Sequence, residues 1–277
     1  MSPPVGAAPT PDPGGSSGGP LVLAHRGSSY AVAEHTLGAY RLAVDEGADG
    51  LECDVRLTAD GELVCLHDRT LLRTGGADGV VSTMSLSELR AVDWGAWKRA
   101  DGARRTPGDG TLVTLRELVE LALGAPHPTG LAIETKHPTR FGGMVERSVA
   151  ALLMEYGLTG PPEAGKPWVR VMSFSPLAVR RMSSLLPDLR TVLLIGAPLP
   201  LPYRRGGLVA GADTAGLDIA ILREHPEVVA AQRDRGHEVF VWTVDDENDI
   251  ALCLDLGVDA IISNRPEIVL DARGKNG

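Results

Sequence analysis

At 277 residues, with 43% hydrophobic and 23% charged side chains, the chain is globular in composition and normal in length for a single α/β barrel. A formal charge of −9 argues against a nucleic-acid or anionic-membrane partner, yet leaves room for a local basic pocket that takes one phosphate. With only 4% aromatic residues, the core must be built largely from Leu, Val, Ile and Ala.

Residues 1–20 are rich in Pro, Gly and Ser and lack the basic start and apolar stretch of a signal peptide, so they read as a disordered leader. From residue 21 to 270, short apolar runs alternate with longer helical patterns. The predicted strands are Leu21–Ala24, Gly50–Val55, Leu63–Leu66, Leu131–Glu134, Val169–Ser173, Thr191–Ile195, Gly216–Ala220, Glu238–Thr243 and Ala260–Ser263. The predicted helices are Thr36–Glu46, Leu115–Leu123, Met144–Tyr156, Leu177–Leu185, His225–Arg235 and Glu247–Leu256. This alternation over about 250 residues predicts a parallel sheet closed into a (β/α)8 TIM barrel.

Two places break the rhythm. Thr58-Ala59-Asp60-Gly61 joins the second and third strand runs, and Asp-Gly between strands is a strong hairpin signal. Such a hairpin explains one strand more than a barrel needs, and it brings His67 back towards Glu52. Residues 69–110 hold one short helical pattern, Ser85–Val92, with a Ser85-x-x-Glu88 capping box, and read as an insertion over the barrel mouth. Residues 271–277 are expected to form a flexible tail. The three cysteines, Cys53, Cys65 and Cys253, lie in apolar patterns without metal-type spacing and read as core residues. No apolar run is long enough to span a bilayer, so a soluble, cytoplasmic enzyme is expected.

Chemistry concentrates at the ends of strand runs. Glu52 and Asp54 are two apart and share a strand face, where a pair of carboxylates is costly unless it binds a cation or stays solvated. Oxygen donors of this kind suit Mg2+ or Ca2+. Glu134 ends another run and can complete the set, with Lys136 on its face. His25 and His67 are candidates for proton transfer, although a lone histidine is as often structural. Arg26 has the planar fork that grips phosphate oxygens, or it pairs with Glu34 or Glu52. His35, His127, His137, His225 and His237 read as surface or helix-end residues. No nucleophile elbow or P-loop is present.

Together these pieces resemble the glycerophosphodiester phosphodiesterase family. Its H-R-G is His25-Arg26-Gly27, its E-x-D-V is Glu52-Cys53-Asp54-Val55, and T-x-D-G followed by H-D is Thr58–Gly61 and His67-Asp68. I-E-x-K appears as Ile133–Lys136, S-F-x-P as Ser173–Pro176, W-T-V as Trp242–Val244, and the closing I-I-T-[DN]-x-P as Ile261–Pro266. The resemblance implies a TIM barrel that hydrolyses glycerophosphodiesters to sn-glycerol 3-phosphate and an alcohol. It implies His25 and His67 as the acid–base pair, Glu52, Asp54 and Glu134 as ligands of Mg2+ or Ca2+, and Arg26 and Lys136 on the phosphate. It also implies Phe174 and Trp242 on the glycerol or leaving-group side, and Glu34 as support for Arg26. The family's P-E-N-T stands here as Ala33-Glu34-His35-Thr36, where His35 either adds a titratable group or, as favoured, simply starts the helix.

The expected partner is a small-molecule phosphodiester such as glycerophosphocholine or glycerophosphoethanolamine, with no nucleic acid and no stable membrane association. A lysophospholipase D-like or phosphatidylinositol phospholipase C-like lipid enzyme is the alternative, with Trp94, Trp97, Lys98, Arg99, Arg104 and Arg105 as a rim. A non-catalytic phosphate-ligand binder is the third reading.

Overall fold

The computed structural model describes residues 19–100, 107–163 and 165–276. Nine strands form in chain order: β1 (Leu21–His25), β2 (Gly50–Leu57), β3 (Leu63–Cys65), β4 (Gly130–Thr135), β5 (Val169–Ser173), β6 (Thr191–Ile195), β7 (Thr214–Asp218), β8 (Glu238–Trp242) and β9 (Ala260–Ser263). All except β3 are parallel neighbours, and β1 pairs with both β2 and β9, so eight strands close a barrel. β3 is the ninth strand, an antiparallel flap on the end of β2 with Val55 opposite Cys65. The barrel is therefore the expected (β/α)8 form, with the Asp-Gly hairpin accounting for the extra strand.

Strand parity decides what enters the barrel. Leu23, Ala132, Trp168, Met172, Val192, Leu194, Phe240, Ala260 and Ile262 form one buried cluster inside it. The alternate residues, such as Leu51, Cys53, Leu131, Ile133, Val239 and Val241, pack outward against the helices. Because both faces are covered, the strands read as nearly continuous apolar runs. All three cysteines are buried and free, as core residues.

The floor of the barrel is a tryptophan plug. Trp168 lies so close to β2 and β4 that a Cβ at Gly130 would meet its indole at 1.9 Å, and one at Gly50 would meet it at 2.8 Å. Beside it, the buried Arg170 guanidinium stacks over Trp168 and pairs with Glu238, which also accepts from Thr214 Oγ1 at 3.1 Å. The apolar and polar floor leaves only the opposite mouth open for a site.

Several local differences from the sequence reading have clear causes. β7 is Thr214–Asp218 rather than Gly216–Ala220, because the Asp218 carboxylate accepts from Ala220 N–H at 2.9 Å and starts a helix at Ile219. The helix predicted over His225–Arg235 shortens to Val228–Arg233, separated from an unpredicted helix at Ile219–Glu224 because Pro226 forces His225 out of helical geometry. Of the tail expected over residues 271–277, residues 271–276 continue the last helix, Pro266–Asn276, Gly277 lies outside the described residues, and Arg273 donates to Pro20 O and pairs with Asp49. The leader expected over residues 1–20 lies outside the described residues apart from Gly19 and Pro20.

Within residues 69–110 the Ser85–Glu88 capping box forms. Val81, Leu89, Trp94 and Leu112 pack with Val64, Leu66 and Leu71 into a small satellite core against β3. Trp94 is buried and donates its indole N–H to Leu89 O, and Arg99 pairs with Asp93 and Asp109. Neither is therefore available to the rim suggested for them; Arg104 and Arg105 lie outside the described residues.

The floor yields the first prediction. Gly130→Ala should lower unfolding free energy by about 1–3 kcal/mol, the usual range for overpacking a tight core. Denaturant titration reads this directly, and an unchanged midpoint would mean that Trp168 does not fill the floor.

Candidate functional site

Continuing the inward-facing rows towards the open mouth brings the sequence-predicted residues together. His25, Arg26, Glu52, His67, Glu134, Lys136, Phe174 and Trp242 line one cavity of about 130 Å³, closed below by Met172, Leu194 and Ile262. Asp54 lies beneath its wall and is buried. Glu34 stands behind Arg26.

The chain leaves β1 through a tight reversal. Arg26 has φ 60 and Gly27 φ 85, both left-handed, and a Cβ at Gly27 would meet the Ala39 backbone at 2.6 Å. The reversal turns Arg26 N–H onto Glu52 Oε2 at 3.0 Å, fixing that carboxylate by a main-chain donor. Arg26 Nη1 donates to Glu34 Oε1 at 3.0 Å, and Nε stands 3.0 Å from Asp54 Oδ2. Nη2 is left without a partner among the described residues.

Glu52, Asp54 and Glu134 place one carboxylate oxygen each within 4.8 Å of the others, an arrangement that could hold a metal ion. Burial and the neighbouring Asp54 push Glu52 well above the usual carboxylate range, and they push Glu134 up to about 8. Burial opposes ionisation of Asp54 too, but His35, Arg26 and Lys136 outweigh it and hold that carboxyl well below the ordinary range. Lys136 Nζ lies 2.8 Å from Glu134 Oε1 and 3.2 Å from Asp54 Oδ1. Even so, Asp54 Oδ1 is buried and accepts no hydrogen bond. Three hard oxygen donors, one of them faced only by the Lys136 ion pair, with two cations against the set, fit a divalent ion such as Mg2+ or Ca2+.

The two histidines are held differently. His25 Nδ1 is 2.7 Å from Asn264 Oδ1; the Asn264 amide nitrogen donates to Asp245 Oδ2 at 2.6 Å, so Oδ1 is the acceptor and Nδ1 carries the proton. Nε2 is thereby turned to the cavity side, 3.9 Å from Glu52 Oε2. Burial, then the Arg26 charge, lowers His25 to about 4. His67 Nδ1 is 2.7 Å from Asp68 Oδ1. Burial also lowers His67, against the pull of Asp54, and Arg56 fixes its main chain by donating twice to His67 O. The β2–β3 ladder stops at Cys65, with Leu66 N–H on Asp54 O, so His67 meets Glu52 across the cavity rather than across a ladder.

Sequence reasoning missed several residues around this site. Arg73 donates to both Glu34 oxygens at 2.7 and 2.8 Å and to Asp68 Oδ2 at 2.6 Å, linking Arg26 to His67 through Glu34, Arg73 and Asp68. The Arg73 hydrogen bond, with Arg26, overcomes burial and lowers Glu34 to about 2. Arg73 belongs to the presumed insertion, and only its position five residues past Asp68 was a signal. Asn264 was written in the closing motif at the end of β9, where barrel chemistry is displayed.

His35 requires a correction. It is neither a surface residue nor a simple helix start: Thr36 caps the helix, and the His35 ring is buried, with Nε2 2.9 Å from Asp54 Oδ2 and Nδ1 2.8 Å from Tyr40 Oη. Phe174 and Trp242 meet edge to face at 5.3 Å, with Lys136 over the Phe174 ring at 6.0 Å, and form an apolar side wall.

Two predictions follow from this shell. A ligand's outer-sphere partner commonly changes metal affinity 10–100-fold, so His35→Ala should raise the half-saturating Mg2+ or Ca2+ concentration by about that factor in a thermal-shift titration. Unchanged saturation would separate His35 from ion binding. Glu134, raised to about 8, favours the folded state most below its unfolded pKa, and this contribution disappears as pH rises through 8. Chelated protein should therefore lose Tm between pH 5 and 8, and the cation-induced Tm gain should grow over the same window as protons leave. A gain that shrinks with pH would contradict the assignment.

The whole site lies within the span matched by the glycerophosphoryl diester phosphodiesterase family model, residues 25–268. The chain is 46% identical over 253 residues to a probable glycerophosphodiester phosphodiesterase 1 of Mycobacterium tuberculosis, covering 90% of this chain and 91% of that protein. It is 31% identical to a glycerophosphodiester phosphodiesterase of Caldanaerobacter subterraneus, covering 93% and 99%. In three dimensions it is similar to a phosphodiesterase of Oleispira antarctica solved in complex with the product sn-glycerol-3-phosphate, with TM-score 0.77 at 25% identity and coverage of 92% and 96%.

Proposed function

The chain belongs to the glycerophosphoryl diester phosphodiesterase family and is such an enzyme, and on that premise we propose that it hydrolyses small water-soluble glycerophosphodiesters, among them glycerophosphocholine and glycerophosphoethanolamine, to sn-glycerol 3-phosphate and an alcohol. The observation that carries this reading is one small cavity with two differently tethered histidines facing a buried carboxylate triad.

Arg26, through its open Nη2, and Lys136 bind the non-bridging phosphate oxygens. The glycerol lies against Phe174 and Trp242. Glu52, Asp54 and Glu134 hold the divalent ion, Mg2+ or Ca2+, which when bound supplies Lewis-acid polarisation of the phosphoryl group. His25 is neutral at pH 7, with Nε2 as the open nitrogen, and so takes the proton from the attacking hydroxyl. His67 delivers a proton to the departing alkoxide, and Asp68 stabilises the charged ring. The attacking hydroxyl is either water or the substrate's own glycerol 2-hydroxyl. The tethered route has the entropic advantage, and in its second step the two histidines exchange roles.

A soluble diester fits the cavity better than a bilayer lipid. The rim suggested for the lipid alternative has lost Trp94 and Arg99 to internal contacts, although Lys98 still stands over Trp97 and Tyr30. No helix among the described residues is long and apolar enough to cross a membrane. Three free buried thiols suit a reducing cytoplasm, which we take as the setting.

The test is hydrolysis of both diesters with Mg2+, with Ca2+ or with chelator. Turnover should require a divalent ion; chelator-resistant turnover would remove the metal role, and no turnover with either ion would remove the function. His67→Ala should lower kcat by about 10²–10⁴-fold with an unchanged Tm. Substantial residual activity would misplace the proton donor. A 2-deoxyglycerol substrate separates the two routes, since undiminished turnover excludes obligatory cyclisation. A stable vesicle-bound fraction in liposome flotation would favour the lipid alternative.

A further inference from the structure

A second cleft, of about 230 Å³, adjoins the catalytic cavity and shares Lys136 with it. Its walls carry Arg56, Arg69 and Arg140, with the hydroxyl residues Ser82 and Thr139 between them and no acidic residue. None of the three arginines has a carboxylate within ion-pair distance among the described residues. The carboxylates acting on Arg56 from nearby are committed elsewhere: Asp54 to His35 and Arg26, Asp68 to Arg73 and His67, and Glu134 to Lys136. Arg140 is held over Phe141 and donates to Ser82 O, which fixes its stem and leaves its other nitrogens open.

By contrast, Arg26, Arg73 and Lys136 are each paired with carboxylates. In a chain of net charge −9, three uncompensated guanidiniums in one concavity form a local anion site. Its position says which anion. Arg56 grips the main chain of His67, the proposed proton donor to the leaving alkoxide, so the cleft begins where the leaving alcohol departs.

We infer that the cleft formed by Arg56, Arg69 and Arg140 is the leaving-group subsite and that it selects glycerophosphodiesters whose alcohol arm carries a second anionic group, above all a phosphomonoester. This rests on the hydrolytic reading given above and names its substrate class. Water's oxygen forms the new bond to phosphorus, the bond from phosphorus to the arm's oxygen breaks, and the proton passes to that oxygen. The products are glycerol 3-phosphate and an alcohol that keeps its own phosphate.

The test compares glycerophosphoglycerol with glycerophosphoglycerol bearing a terminal phosphate on the leaving glycerol. The ratio of kcat/KM should favour the phosphorylated arm by about tenfold or more, as one or two charge-assisted hydrogen bonds would give. It should fall at least severalfold in Arg69→Ala/Arg140→Ala, two exposed positions whose substitution should leave Tm unchanged. A wild-type ratio near one, or a preference that survives in the double variant, would overturn the inference. If neither diester is hydrolysed, the hydrolytic reading fails, and binding still decides the cleft. Calorimetry on His67→Ala, with and without the two arginine substitutions, should then show about tenfold weaker affinity for the phosphorylated diester when they are removed; equal affinity would overturn it.

Discussion

Three carboxylates forced into one buried space are the constraint from which the rest of the site follows. Glu52 and Asp54 share a strand face, and β2 pairs with β4 in the register that sets Asp54 beside Glu134. Burial makes their charges costly, and their mutual repulsion adds to that cost. The chain meets this with Arg26 on one side and Lys136 on the other, and still leaves Asp54 Oδ1 with an ion pair but no hydrogen bond of good geometry. The same two cations are the natural grips for a phosphate. In the proposed mechanism, balancing the triad and binding the substrate therefore draw on one pair of side chains.

The second consequence is that the site is braced from outside the barrel. A guanidinium that balances buried charge must not swing away, and Glu34 holds Arg26 from behind while Arg73 holds Glu34. Arg73 continues to Asp68 and so to His67, so Arg26 and His67, the proposed phosphate grip and proton donor, belong to a single ionic chain. The other histidine is braced separately, through Asn264 just past β9 and Asp245 just past β8. Burial and the neighbouring Arg26 charge lower the proton affinity of His25, and burial lowers that of His67 against the pull of Asp54 and Asp68, so one residue type meets two different settings.

The barrel was legible because a strand buried on both faces has an apolar pattern that survives in the sequence, and because Asp60-Gly61 marks its only hairpin among the described residues. The line of site residues was legible for the same reason: His25, Glu52, Glu134 and Trp242 prolong inward rows whose period is two. What the sequence hid was contact across distance. Arg73 sits in a stretch whose own pattern says only loop and short helix, and its meaning comes from Glu34, 39 positions away. The last helix was hidden because its anchor, Arg273 on Asp49, spans 224 positions. The boundary errors at β7 and after Glu224 came from a capping aspartate and a proline whose effects outrank the apolar run around them.

His35 shows how a departure from a family pattern can preserve its physics. The position has φ 59, where side chains other than glycine are strained, and asparagine and histidine are among those that tolerate it best. The position must also present a hydrogen-bonding group to Asp54 from inside a buried pocket. An asparagine has a short amide; a histidine has two ring nitrogens farther apart, and here both are used, one on Asp54 and one on Tyr40 Oη. With Nε2–H on Asp54, Nδ1 accepts from the Tyr40 hydroxyl, whose oxygen also lies 3.3 Å from Glu52 O, so the larger ring reaches from one triad member to the neighbourhood of another. Burial keeps the ring's proton affinity low and the Asp54 charge raises it, so its contribution to Asp54 is first a directed hydrogen bond. His35 thus occupies the left-handed turn and orients the Asp54 carboxylate with both ring nitrogens engaged.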